Sequence, residues 1–365
     1  MLINHIPTEW TVFFMLYGGG ALVELIACLY LCLRKGNAFA PDITSPLQLR
    51  RWAAAFCAVT FLGHIWWYLF FIFSGDIHSV SYLVVTVLDG VGLLTTISGT
   101  LFAMLQDRKR PIWPIIIATI PFAVFGALNI VYPESHFLQI AVTYFLLLYV
   151  GFTIYMVFAV RQYGRWLRDN YADLEHKEVW GSHVLVIVLL LAIVTYGFDG
   201  GELIISYVVQ LFGLVLIGLL LWRVETLPQL EKISMEQPLQ QTTQPQQTSA
   251  NLSSIEQLLD ERCVGTQLYL QHDLTLHQLT QSIGTNRTYL SQYFSSRGTT
   301  YNAYINDLRI KHFMNLYHEA IAANQSIIVQ QLAHDSGYRS YSTFSLAFKH
   351  RMGQSVTAWM RKTDN

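Results

Sequence analysis

Residues 274 to 294 read LTLHQLTQSIGTNRTYLSQYF, and a second stretch of the same kind, GYRSYSTFSLAFKHRMG, occupies residues 337 to 353. In the first, Leu276, Leu279 and Ile283 fall on one face of a short helix, Gly284 ends it, and Asn286 can cap a second helix whose Tyr289, Leu290 and Phe294 return to the core. Helix, glycine turn and capped second helix make the helix-turn-helix pattern. The same order recurs 53 residues later: Ile328, Leu332 and Ala333, then Gly337 as the turn, Ser340 as the cap, and Phe344 and Phe348 as core. One such spacing arises by chance in many helical proteins, whereas two in tandem carry far more weight. Between them Tyr304, Ile305, Leu308, Phe313, Leu316 and Ala320 form the stripe of a longer joining helix.

These residues resemble the DNA-binding domain of the AraC/XylS family of transcription regulators over about the last 90 residues of the chain. The likeness rests on GTNRTYLSQYF, on the joining segment YINDLRIKHF, and on GYRSYSTFSLAFK followed by GQSVTAWMR. Three departures concern packing: Val356 stands where the family often has proline, the aromatic-basic pair is spread over Trp359, Met360 and Arg361, and Phe313 replaces a small residue. A recognition helix of this kind enters the major groove with its N-terminal part at the base edges, and a second can enter the next groove on the same face of the DNA. The outward positions expected at bases are Arg287, Thr288, Ser291 and Gln292 on the first helix, and Tyr341, Ser342, Ser345 and Leu346 on the second. Arg287 and Gln292 have the chemistry for guanine and adenine edges. Arg297, Arg339, Lys349 and Arg351 are placed to meet phosphates, which position the protein without specifying sequence.

The rest of the chain is of another composition. Overall 53% of the 365 residues are hydrophobic and 13% charged, too apolar for an ordinary soluble enzyme. Seven apolar runs can be marked, Trp10 to Leu33, Trp52 to Phe73, Ser79 to Leu105, Pro111 to Tyr132, Phe137 to Val160, Val179 to Phe198 and Glu202 to Trp222, each about the length a helix needs to cross a bilayer. The 11 Lys and Arg residues before Arg223 fall in alternate loops: Arg34, Lys35, Arg50 and Arg51, then Arg108, Lys109 and Arg110, then Arg161, Arg165, Arg168 and Lys177. The other loops contain none. Basic loops stay in the cytoplasm, so the N-terminus is expected outside and everything after Trp222 inside. Trp52, Trp113, Trp180 and Trp222 lie at the inner ends of their runs, as an aromatic belt would place them. From Thr275 onward nine Lys/Arg against four Asp/Glu give a formal charge of +5, so the positive excess sits where a polyanion can meet it, although the whole chain is at -1.

The expected fold is therefore all-α. Residues 1–223 form a seven-transmembrane-helix bundle, 224–254 a Gln/Pro-rich flexible linker containing QPLQQTTQPQQTSA, and 255–365 a cytoplasmic domain with helix-turn-helix motifs at about 274–296 and 326–350 joined by a long helix. The expected partners are double-stranded DNA, the lipid bilayer, a second copy in a homodimer, and an unidentified signal ligand. The resemblance implies a bacterial cytoplasmic membrane.

Three ionisable residues, Glu24, His64 and Asp89, sit near mid-bilayer and are expected to face the bundle interior as an intramembrane polar site, either a structural tie or a signal-responsive group. In the outer loops the pairs DIH at 76 to 78 and ESH at 134 to 136 have cation-binding chemistry, but polar loop residues at a membrane surface are far commoner, and no metal site is assigned. The four cysteines, Cys28, Cys32, Cys57 and Cys263, lack metal-ligand spacing and read as reduced thiols. No cofactor and no catalytic residue is expected. A retinal bundle needs a lysine within a span, and none of the runs has one; a kinase needs a phosphate-cradling glycine motif. Two alternatives remain beside the membrane-anchored regulator: a transporter or membrane enzyme with an attached DNA-binding domain, and a passive anchor for a regulator.

Overall fold

The protein is seen in a computed structural model that describes residues 8–34, 37, 44–74, 79–132, 136–174, 177–197, 203–230 and 248–363. The remaining residues, among them the DIH pair, Glu134 and Ser135 of the ESH pair, and most of the Gln/Pro-rich stretch, lie outside the described part. Among the described residues the protein is all-helical and has no strand, only an isolated antiparallel bridge between Tyr171 and Thr275. It divides into two compact units, Met1–Tyr163 with Val179–Leu230, and Gly164–Glu178 with Glu231–Asn365.

The first unit holds α1 (Thr8–Leu33), α2 (Leu47–Phe73), α3 (Val80–Met104), α4 (Trp113–Val131), most of α5 (Phe137–Asn170), α6 (Trp180–Gly197) and α7 (Leu203–Thr226). Among the described residues six of these, all except α6, carry segments long and apolar enough to cross a membrane. The seven runs thus appear as seven helices, with the count of spans at six by length and composition. Around an apolar core with a few buried polar groups, their outer surface is apolar too, unlike that of a water-soluble protein. Phe71, Leu147, Phe158 and Ile204 are exposed, while Glu24, Ser98, Thr100 and His183 are buried. Contiguous apolar surface of this kind needs a partner, and a lipid phase supplies one. Two of these buried polar groups find carbonyls: Thr100 donates to that of Thr96 at 2.8 Å, and the His183 ring nitrogens lie 2.9 Å from the Val179 carbonyl and 3.2 Å from that of Leu101 in α3.

The second unit contains α8 (Thr248–Leu259), a π-helical segment at Asp260–Val264, a short 3₁₀ turn at Leu268–Leu270, α9 (Leu276–Ile283), α10 (Arg287–Ser296), α11 (Tyr301–Ala322), α12 (Val329–Asp335), α13 (Tyr341–Met352) and α14 (Val356–Thr363). Helix α8 begins inside residues 224–254. Two cores form. Leu259, Cys263, Leu276, Leu279, Ile283, Leu290 and Phe294 make one, and Phe313, Tyr317, Ala333, Tyr338, Phe344, Phe348 and Trp359 make the other. Helix α11 serves both, giving Ile305 to the first and Ile310 and Phe313 to the second. Phe313, the departure from the family pattern, fills the second core: its ring centroid lies 4.4 Å from Phe344 and 5.9 Å from Phe348.

Between the cores Arg309 is 1% exposed. Its Nε donates to the Tyr269 carbonyl and its Nη2 to that of Gln271, both at 2.7 Å, and its guanidinium carbon stands 5.5 Å from the Tyr338 ring centroid. A buried cation is tolerated only when so fully engaged. Arg309→Ala would leave two carbonyls facing a void and is expected to destabilise the second unit by about 3 kcal/mol or more. Urea-induced loss of hydrogen-exchange protection in α9 to α13 measures this.

Candidate nucleic-acid interface

Each motif is built by local chemistry that the sequence announces. Thr275 caps α9 in a full capping box: its hydroxyl accepts from the Gln278 amide at 3.2 Å and its own amide donates to Gln278 Oε1 at 2.8 Å. Gly284 ends α9 with φ +71°, a left-handed conformation that favours glycine. Asn286 Oδ1 then accepts from the Tyr289 amide at 2.9 Å and starts α10. In the second motif Gly337 has φ +88°, and the Ser340 hydroxyl accepts from the Thr343 amide at 3.3 Å to start α13. The two turns differ in one respect. A Cβ on Gly284 would meet nothing nearer than 3.8 Å, whereas one on Gly337 would lie 2.8 Å from the Leu270 carbonyl oxygen and 3.0 Å from Arg309 Nε.

Burial of Leu290, Tyr293 and Phe294 turns the opposite face of α10 outward, where Thr288, Ser291 and Gln292 are exposed and Arg287 is half-buried. Burial of Phe344 and Phe348 does the same for α13: Tyr341, Ser342 and Leu346 are exposed and Ser345 is half-buried. Leu346 is 73% exposed, an apolar side chain facing solvent where the resembled family often has a polar one. Both outward faces begin at a helix N-terminus, whose free N–H groups favour anions.

Of the four cations expected at phosphates, three are held by carboxylates. Arg297 pairs with Glu256, Arg339 with Asp273 at 3.0 Å, and Arg351 with Asp307, while Lys349 lies exposed in the last turn of α13. Asp307 also takes Lys311 at 2.9 Å; burial raises its carboxyl, but Lys311 and Arg351 outweigh that and hold it below the usual carboxylate range. Exposed pairs contribute about 1 kcal/mol at most, so exchanging these carboxylates for phosphates is a small step. Burial lowers the Arg287 guanidinium from its ordinary value, while Asp169 and Tyr171 act on it in the opposite direction.

Sequence reasoning counted Arg309 only in the charge tally. Its position, one turn after Ile305 on the buried face, was the available signal. In the first unit the structure brings Glu24 and His64 together at 3.0 Å, adds Gln210 of α7 at 3.1 Å from His64 Nε2, and has the Tyr17 hydroxyl donate to the His64 carbonyl at 2.9 Å. Asp89 is held by the Trp67 indole N–H at 3.3 Å. The polar site thus ties four helices, α1, α2, α3 and α7. Among the described residues no group of three or more His, Cys, Asp and Glu converges as for a metal, and the four cysteines are free.

Residues 279–362 match the family described as a helix-turn-helix domain, of the AraC type. No curated protein and no solved structure matches the chain. The match spans α10 to α13 complete and suggests a DNA-binding regulator, and the apolar helices before it fit membrane anchoring. Gly284→Ala is expected to cost the second unit about 1 kcal/mol, and Gly337→Ala clearly more, because backbone must also move. The gap between the two variants in thermal unfolding of this unit checks the assignment of the turns.

Proposed function

We propose that the protein is a membrane-anchored one-component transcription regulator. Helices α10 and α13 read bases in adjacent major grooves of one DNA face, and a signal received by the bundle of α1 to α7 controls that binding. The observation that carries the reading is the pair of capped, outward-facing helices mounted on the single spine α11. Base contact is assigned to Arg287, Thr288, Ser291, Gln292, Tyr341, Ser342, Ser345 and Leu346, and phosphate contact to Arg297, Arg339, Lys349 and Arg351. The N-terminus faces out and the DNA-binding unit faces the cytoplasm of a bacterial cell, because the 11 basic residues of the first 222 residues all fall in the loops on that side. Paired operator half-sites suit a homodimer, and the Glu24–His64–Gln210 cluster is the place in the bundle where a polar signal ligand or a proton would act.

The test uses the full-length chain in lipid nanodiscs and a random-sequence duplex pool taken through rounds of selection. Enrichment of one sequence class supports the reading, and retention without enrichment contradicts sequence-specific binding. On the selected duplex, Arg287→Ala is expected to lose about tenfold to a hundredfold in affinity and to relax one base position. Lys349→Ala should instead weaken all duplexes alike and lower the salt dependence by about one counterion.

A further inference from the structure

The end of α5 and the loop that follows it do not stand apart from the helix-turn-helix unit; Gly164–Glu178 belong to it. Ala172 is buried in the first core beside Leu274, Leu276 and Tyr301. Its amide donates to the Leu274 carbonyl at 3.2 Å, and Tyr171 forms a bridge with Thr275, the cap of α9. Two asparagines one turn apart on α11 hold the segment from the other side. Asn302 Nδ2 donates to the carbonyls of Ala172 at 2.6 Å and Tyr171 at 3.2 Å, and Asn306 Nδ2 donates to that of Ala172 at 3.3 Å. Lys177 completes the docking with an ion pair to Asp273 at 3.3 Å.

This segment meets residues assigned to DNA. Asp169 and Tyr171 act electrostatically on Arg287, the first residue of α10. Asp273, the partner of Lys177, also holds Arg339. The Asp169 carboxylate favours the charged Arg287 that a guanine edge would take, and it would repel an approaching phosphate backbone. The segment begins within α5 itself, so a change in α5 has a covalent route into this unit that does not pass through residues 224–254.

We propose that residues 164–178 are a built-in clamp on the first helix-turn-helix motif, which withholds Arg287 from DNA while docked and is released when the signal acts on the bundle. This rests on the DNA-binding reading above. The clamp and the duplex compete for Arg287, so each weakens the other by the same factor.

The test again uses the full-length chain in lipid nanodiscs with the random-sequence duplex pool as probe. Asn302→Ala with Asn306→Ala removes the hydrogen bonds to the clamp without altering charge, and Asp169→Asn removes the competing carboxylate. Both are expected to bind the pool more tightly than the unaltered protein, by about fivefold or more, the worth of one net hydrogen bond. Hydrogen exchange gives the second measurement: saturating duplex should speed exchange of the Ala172 amide and leave α11 protected. Unchanged or weaker duplex binding by the neutral double variant, with native protection in α9 to α11, overturns the clamp. So does an Ala172 amide equally protected with and without duplex. If none of the proteins, the released variants included, retains duplex, the DNA-binding reading itself fails and the regulatory step falls with it, whereas tight binding that no variant improves sinks the clamp alone.

Discussion

Arg309 is taken out of water in the middle of α11, and the free energy of doing so is offset only while its N–H groups reach the carbonyls of Tyr269 and Gln271 and its face lies against Tyr338. Those partners come from the turn that leads into the first motif and from the residue that follows Gly337 in the second. One side chain therefore fixes both motifs to the same helix. The crowding at Gly337, where a Cβ would meet the Leu270 carbonyl and Arg309 Nε, belongs to the same junction. Paired DNA reading, as proposed, needs a fixed separation between α10 and α13, and a buried cation with directional bonds enforces that better than apolar packing, which tolerates sliding.

The two units present different surfaces within one chain. In the first, Phe71, Leu147 and Phe158 face outward while Glu24, His183 and Thr100 are buried and bonded. In the second, Phe344, Phe348 and Trp359 are buried and most charged residues lie outside, with Arg309, Asp173 and Lys177 buried. The end of α5 and the loop after it, Gly164–Glu178, are where this division departs from chain order, since they belong by packing to the second unit.

Periodicity made most of the architecture legible. The apolar runs coincide with helices, six of them long and apolar enough to span among the described residues, and the glycine turns with their caps, Asn286 and Ser340, became the two motifs, although Tyr289 and Ile328, expected at the cores, are exposed. These are local signals, set by residues three or four apart. What sequence reading missed was long-range. The docking of Tyr171 and Ala172 uses backbone groups, which carry no residue-type signature, and partners more than a hundred positions away. Only the spacing of Asn302 and Asn306 hinted at it. Arg309 hid for a related reason: a cation on an apolar face reads as a surface charge until its carbonyl partners are known. Depth along the runs grouped Glu24, His64 and Asp89, but that Glu24 meets His64 and that Gln210 joins them depends on how distant helices pack.

The most direct measurement is a hydroxyl-radical footprint of the full-length protein, held in lipid nanodiscs, on a duplex selected from the random pool. Two readers on one spine should protect two tracts on one face of the DNA, about one helical turn apart. A single protected tract, or two on opposite faces, would contradict the account.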